Sequence, residues 1–343
     1  MDNSPCFIIA EAGVNHNGDI SLAKQLIDIA KNAGADAVKF QTAKVENCIS
    51  KKAEKAPYQK ETTDVTETQY EMVKKLELPY DAFKELLNYC KAQEIEFLST
   101  PFDSESLQCI DELDVRLHKI PSGEITNYPL LEVFARTKKP VILSTGMSTL
   151  GEVEEAITYL KMHGTTEITL LHCTTSYPTP FESVNLRAMQ TLAQAFHLPV
   201  GYSDHTLGIS VPLAAVAMGA KVIEKHFTID KNLPGPDHRA SLDPVELHDM
   251  IIGIREIEAA FGDGIKCVAP SEKENVKIVR KSIVACKEIP VNTVITREMI
   301  TVKRPGTGIE PKYYETIIGM KTTRALEEDE IIPWDSIEKV CKP

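Results

Sequence analysis

FIIAEAGVNHNGDISLAKQLIDIAKNAGADAVKFQT, residues 7–42, decides the fold class. It opens on a short apolar run (Phe7–Ala12), passes through a polar turn into a helical pattern (Ser21–Ala33), and ends on a second apolar run (Ala37–Gln41). Two strands of that length joined through a helix make a βαβ unit. The same alternation continues down the chain. Further strands are predicted at Glu96–Pro101, Leu117–Ser122, Val141–Thr145, Ile168–Cys173, Val200–His205 and Val222–Thr228. Helical stretches fall between them at Tyr80–Gln93, Glu152–Met162, Leu186–Phe196 and Ile209–Met218, and Val245–Phe261 follows the last strand. Eight β-then-α units in about 260 residues predict an α/β fold of the (β/α)8, or TIM-barrel, type. A doubly wound sheet is the alternative, but no GxGxxG turn follows the first strand.

Two segments break the rhythm. Thr42 to Leu78 is polar, rich in Lys and Glu, and too long for an ordinary βα loop. It reads either as a cover over an active site or as a solvated excursion. After GDGIKCVA (262–269) the pattern changes to short apolar runs at Ser282–Cys286, Val294–Ile295 and Ile300–Lys303, punctuated by Pro290, Pro305, Gly306 and Gly308. The expected organisation is a barrel over 1–262, a linker over 263–276 and a small β-rich domain over 277–343, close to the lower size limit for independent stability.

Composition narrows the function classes. The chain has 343 residues, 43% hydrophobic and 26% charged, with a net charge of −12, which argues against a nucleic-acid or anionic-membrane partner. The charge is uneven: 26 Lys and Arg face 40 Asp and Glu in residues 1–276, and 12 face 10 in residues 277–343. An acidic body that handles an anion must therefore concentrate its cations locally. The eight cysteines form no CxxC pair and read as reduced. The N-terminus lacks a basic leader, and no apolar stretch approaches the roughly 18 residues of a membrane span. The expectation is a cytoplasmic protein.

In such a barrel the chemistry sits at the C-terminal ends of the strands, and here those ends are polar. The first ends in Glu11, with Asn15 and His16 beyond; the second carries Lys39 and Gln41, two apart and so on one face. Thr100 ends the third, Lys119, Ser122 and Glu124 the fourth, and Ser144 the fifth. Ser203 and His205 end the seventh, Glu224 and His226 the eighth. Lys, Glu and His on an inward face cost free energy unless paired or used, so this many at one end of successive strands mark a site. His205 and His226, with Asp204 and Glu224 near them in sequence, suit a divalent ion such as Mn2+, Fe2+ or Zn2+ with open positions. A His pair equally suits acid–base work or plain burial. His118 alternates with Lys119 and should point away; His172 reads as a core histidine; His163, His197 and His248 read as surface. Lys39 and Lys119, with Thr100, Ser122, Ser144 and Ser203, could hold phosphate and carboxylate groups. The rival is a Schiff-base lysine. No P-loop is present.

The same residues spell recognisable motifs. FIIAEAGVNHNGD (7–19), AVKFQT (37–42), FLSTPFD (97–103), KIPSGEITNYPL (119–130), ILSTGM (142–147), LLHCTTSYPTP (170–180), VGYSDHT (200–206) and IEKHFTIDKNLPGPDHRASLDP (223–244) resemble the bacterial sialic acid synthase family in order and spacing. VKRPGTGI (302–309) resembles its antifreeze-like, or SAF, domain. The resemblance implies condensation of phosphoenolpyruvate with an open-chain 2-acetamido-mannose and release of phosphate. It implies that His205 and His226 hold an Mn2+-type ion (Mg2+ or Co2+ as substitutes), and that Lys39, Thr100, Lys119, Ser122, Ser144 and Ser203 hold phosphoenolpyruvate. Glu11 and Gln41 match residues around the reacting centre, Glu124 an acid–base partner, and Tyr177 and Asp237 sugar contacts. Arg304 matches an arginine given to the partner's barrel in a domain-exchanged homodimer. Thr175 stands where some members have Asn. KAPYQ (55–59), QYEMVKKLEL (69–78) and DHRASL (237–242) resemble the legionaminic acid branch, whose acceptor carries a 4-acetamido group and a 6-methyl where N-acetylmannosamine carries hydroxyls. A metal-dependent barrel hydrolase and a non-catalytic sugar-binding protein are the competing readings. The first normally needs an HxH pair on strand one, where this chain has Glu-Ala-Gly.

Overall fold

The computed structural model describes residues 4–64 and 66–340. It divides into two compact units, the first ending at Phe261 and the second beginning at Gly262.

The first unit is a ring of eight parallel strands: β1 (Phe7–Gly13), β2 (Ala37–Thr42), β3 (Glu96–Pro101), β4 (His118–Ile120), β5 (Val141–Ser144), β6 (Ile168–Cys173), β7 (Val200–Asp204) and β8 (Val222–His226). Their hydrogen-bonded order is β3-β2-β1-β8-β7-β6-β5-β4. The ladder between β1 and β8 joins the two ends of the unit, with Glu11 level with His226. β3 and β4 lie side by side without a ladder between them. β4 is shorter than the predicted Leu117–Ser122, because Pro121 has no N–H to extend a ladder. Ser122 and Glu124 therefore lie on a single 3-10 turn beyond the strand.

Each helix is set by its caps and its apolar stripe. Ile20–Ala33 starts where Asp19 accepts a hydrogen bond from Ser21 N at 2.6 Å and ends at Gly34, whose φ of +89° suits glycine. It buries Ala23, Leu26, Ile27, Ala30 and Ala33 against the sheet, and each large aliphatic side chain so buried contributes about 1.5–3 kcal/mol. Two helices absent from the sequence reading, Ser104–Glu112 and Tyr128–Arg136, complete the third and fourth units. Each is only nine residues long, and their caps, Asp103 and Asn127, do the work that length does elsewhere.

The inside of the ring is layered. Ile9, Ala37, Leu98, Leu117, Ile142, Leu171 and Val222 pack as an apolar plug across its lower half. At the matching place on β7 stands Gly201, where a Cβ would come within 2.7 Å of Leu171 Cδ2 and closer still to the Val222 carbonyl oxygen. The plug leaves no room there for a side chain.

The segment between β2 and the helix Tyr80–Gln93 is structured. It forms short helices at Val45–Cys48, Pro57–Thr62 and Gln69–Lys74, and it buries Met72 and Lys55. Lys55 Nζ donates to Thr63 Oγ1 at 2.8 Å and to the Asp64 carbonyl, and pairs with Glu67 at 3.3 Å. Gly18 (φ +76°), in the loop after β1, lets this segment approach: a Cβ there would stand 2.7 Å from the Lys75 carbonyl oxygen.

The second unit pairs β9 (Ser282–Ala285) antiparallel with β10 (Ile300–Lys303), and β11 (Lys321–Thr322) with β12 (Ile337–Glu338). It has its own small core, including Ile283, Ile289, Ile309, Leu326 and Ile332. Val294, predicted as part of a strand, contributes a single bridge to Lys321. Among the described residues no helix is long and apolar enough to cross a membrane, and the seven described cysteines are free.

Candidate active site

Side chains two apart on a strand share a face, so the residue two beyond each plug position also points into the ring. Those residues are Glu11, Lys39, Thr100, Lys119, Ser144, Cys173, Ser203 and Glu224, all buried. The apolar plug is their floor. Glu224 is the hub: Ser203 Oγ donates to its Oε1 at 2.9 Å, Lys119 Nζ lies 3.6 Å from Oε1, and Lys39 Nζ 3.6 Å from Oε2. Lys39 also pairs with Glu11 Oε2 at 2.6 Å and donates to Thr100 Oγ1 at 2.6 Å, and Lys119 donates to Ser144 Oγ at 2.7 Å.

Burial raises the pKa of both carboxyls, and neighbouring charges then separate them. For Glu11 burial outweighs Lys39 and is helped by Glu224, so its pKa is pushed up to about 7. For Glu224 burial is overcome by Lys119 and Lys39, which hold it at about 2. Burial opposes the charge of both lysines. Glu11 and Glu224 more than restore it at Lys39, whose pKa rises, whereas that of Lys119 falls. The tier is a cationic pocket whose one strongly held negative charge is Glu224.

A second tier lies two residues higher. Gln41 Nε2 is 3.3 Å from Glu11 Oε1, and the rings of His205 and His226 lie 5.7 Å apart between centroids. Burial keeps both imidazoles neutral by lowering their pKa values. His205 Nδ1–H donates to the Thr174 carbonyl at 2.8 Å, which fixes the proton on Nδ1 and leaves the lone pair on Nε2. His226 Nδ1 is buried with no hydrogen-bond partner. A Cβ on Gly13 would lie 3.3 Å from both that nitrogen and Glu11 Oε1, so the two border one spot. Two neutral imidazoles, one oriented by a backbone carbonyl and one unpartnered, fit a divalent ion. Among the described residues no set of three or more His, Cys, Asp or Glu forms a cage, so the remaining positions would fall to small-molecule oxygens.

The structure removes Asp204 from this pair. It faces the outer side of β7, where Oδ2 meets Lys225 Nζ at 2.5 Å and Thr206 Oγ1 at 2.9 Å, all buried. His118 also faces outward, with Nε2 3.0 Å from Asp111 Oδ1 and its ring edge-on to Phe134. His172 Nε2 is 2.8 Å from the Val184 carbonyl, which satisfies it.

Around the mouth, Ser122 Oγ accepts from Gly146 N at 2.9 Å and lies 3.1 Å from Cys173 Sγ. A Cβ on Gly146 would clash with Thr175 Oγ1, Ser122 Oγ and Cys173 Sγ together, so this glycine lets three loops converge. Glu124 is half-buried and accepts from Asn127 Nδ2 at 2.6 Å. Tyr177 packs its ring 4.2 Å from His205 and 6.0 Å from His226. Asp237 is buried, which pushes its pKa up to about 6, and its charge is felt by Tyr177. Arg304 is exposed on the second unit. The sequence reading missed Cys173 and Tyr58. The two-residue stagger from Leu171 would have found Cys173. Tyr58 lies in KAPYQ, which was tied to the acceptor branch only as a motif; its ring lies 5.1 Å from Tyr177.

Residues 26–266 match the NeuB family and residues 280–338 the SAF domain. The chain is 57% identical to the N,N'-diacetyllegionaminic acid synthase of Campylobacter jejuni subsp. jejuni serotype O:2, over 95% of this chain and 98% of that one. It is 49% identical to the protein of the same name from Legionella pneumophila subsp. pneumophila, over 97% and 95%. Its fold is similar to that of N-acetylneuraminic acid synthetase from Leptospira borgpetersenii serovar Hardjo-bovis in complex with citrate, with a TM-score of 0.70 and 38% identity over 80% of this chain and 91% of that one. The polar-ended barrel and the small tail thus have near full-length counterparts, and the chain belongs to the NeuB family, with a SAF domain following the barrel in sequence.

Proposed function

We propose that this chain condenses phosphoenolpyruvate with 2,4-diacetamido-2,4,6-trideoxymannose in its open-chain form, releasing phosphate and giving N,N'-diacetyllegionaminate. The observation that carries this is the polar end of the ring: two buried lysines with hydroxyl partners lie in the tier below that of two neutral imidazoles. Lys39 and Lys119 hold the phosphate and carboxylate by charge-assisted hydrogen bonds, and Thr100, Ser122, Ser144, Thr175 and Ser203 add neutral contacts. The choice of acceptor is supported by KAPYQ and DHRASL in the loops, and by 57% and 49% identity to proteins named for legionaminic acid, against 38% to one named for N-acetylneuraminic acid.

In this reaction C3 of phosphoenolpyruvate bonds to the aldehyde carbon, whose oxygen takes up a proton. Water adds at C2, and the C2–O bond to phosphate then breaks to leave a ketone. Glu11, with a pKa of about 7, can carry a proton near neutrality, and beside Gln41 it is placed to give that proton to the aldehyde oxygen. Glu124, oriented by Asn127, is the acid–base partner for the added water. Lys39 and Lys119 stay paired with the phosphoryl and carboxylate charges throughout. Tyr177 and Asp237 position the sugar. His205 and His226 hold a divalent ion, Mn2+ by the family resemblance, which when bound supplies Lewis-acid polarisation of the aldehyde.

Two wider features belong to the proposal. A second copy supplies Arg304 in a domain-exchanged homodimer; exposed Met147, Phe181 and Leu207, on the loops after β5, β6 and β7, support a covering partner at the barrel mouth. The enzyme works in the cytoplasm, where phosphoenolpyruvate is made and free cysteines persist.

Phosphate release tests the reading. It should require divalent metal, phosphoenolpyruvate and an acetamido-mannose together, and be faster with the trideoxy sugar than with N-acetylmannosamine. The pair His205→Ala and His226→Ala should abolish it. Release that survives both the chelator and the double substitution would count against the proposal, and faster turnover of N-acetylmannosamine would reassign the acceptor.

A further inference from the structure

The rings at the mouth form a row. His226 and His205 stand at the reacting end, Tyr177 packs against both, and Tyr58 lies 5.1 Å from Tyr177 at an interplanar angle of 32°. Tyr58 comes from the helix Pro57–Thr62, far from the others in sequence. Its place is fixed rather than incidental. The buried Lys55 clasp closes that helix onto the residues after it, Gln59 Nε2 lies 3.3 Å from the Tyr58 hydroxyl, and Thr62 Oγ1 reaches the Pro236 carbonyl at 3.5 Å. Asp237 follows Pro236, and its charge, after burial itself, raises the Tyr58 hydroxyl pKa as it does that of Tyr177. Loops after β2, β6 and β8 thus bring two aromatic faces and one carboxyl to a common wall.

With its aldehyde carbon beside the imidazoles, a sugar laid along Tyr177 would bring its last carbons to Tyr58. The face of an aromatic ring packs against a methyl group and itself offers a hydroxyl no hydrogen bond. We propose that Tyr58 is a specificity-determining residue: tilted against Tyr177, its ring forms the apolar wall that accepts a 6-methyl and disfavours a 6-hydroxyl. This rests on the condensation proposed above and assigns to Tyr58 the choice between its two candidate acceptors.

The test compares kcat/KM for the two sugars in full-length wild type, Tyr58→Ser and Tyr58→Phe, with the KM for phosphoenolpyruvate measured alongside. One group in an apolar pocket changes selectivity by about 10- to 200-fold. Tyr58→Ser should lower kcat/KM for the trideoxy sugar about tenfold or more through KM, change N-acetylmannosamine little, and leave the KM for phosphoenolpyruvate unmoved. Tyr58→Phe keeps the ring and should keep the wild-type ratio. An unchanged ratio in Tyr58→Ser, an equal loss on both sugars, or a ratio lost in Tyr58→Phe overturns the assignment to Tyr58 while leaving the condensation intact. Wild-type enzyme that turns over neither sugar overturns both.

Discussion

At the scale of single residues, carboxyls of one chemistry are given different tasks by burial and neighbours. Glu224 lies against two lysines and stays ionised; Glu11 shares one of them and is poised near neutrality. Asp237 is the simplest case, because burial alone lifts its pKa from 3.8 to about 6. Its native proton is held above the unfolded value, so the stability it contributes is complete below about pH 3.8 and lost as pH rises through about 6. Asp237→Asn cannot ionise and escapes that loss. Measured by urea unfolding, the variant should gain on wild type by up to about 3 kcal/mol between about pH 4 and pH 6 and run parallel to it above. Parallel curves throughout would show that Asp237 titrates as an exposed carboxyl does.

At the scale of elements, the two-residue stagger does most of the positioning. Every strand but β7, which places Gly201 there, aligns an apolar residue with the plug, and two residues further on each turns a side chain to the site above it, so packing and chemistry are set by the same register. Gly201→Ala tests the plug. Its new methyl meets the Val222 backbone and Leu171, and overpacking of this kind costs about 1–3 kcal/mol. Thermal unfolding should show the loss, with β7 and β8, which carry both histidines, the pair pushed apart. Much of this was legible in the sequence, because period-two alternation states which side a residue faces: Lys39 with Gln41, Ser203 with His205 and Glu224 with His226 all fall together as the spacing demands. The same rule, applied strictly, also turns Asp204 outward, which adjacency to His205 had obscured. Ser104–Glu112 and Tyr128–Arg136 were not among the predicted helices, although helices as short, Ala188–Phe196 and Ser210–Ala217, were, so length is not what hid them. KAPYQ pointed to the neighbourhood of Tyr58, but its meeting with Tyr177 joins two loops, and no local pattern encodes that.

At the scale of the whole molecule, two units with separate cores share one chain, and the proposed exchanged dimer predicts how they share activity. If each site joins one chain's barrel to the other's Arg304, then Arg304→Ala and His205→Ala inactivate different halves of it. Co-refolding the two inactive variants in equal amounts should restore about a quarter of wild-type phosphate release, from sites that pair an intact barrel with an intact tail. No recovery would argue that each chain completes its own site. The barrel's ladder order has a further consequence. β3 and β4, close in sequence, share no ladder, whereas β1 and β8, at opposite ends of the unit, do. Assembly therefore cannot zip round the ring between successive strands; the joint with the greatest loop-closure cost has to form if the ring is to hold. Glu11 and His226 face each other across that joint. A nascent chain therefore cannot complete its site before its eighth strand has emerged and found its first, so capacity to act on substrate comes only with closure.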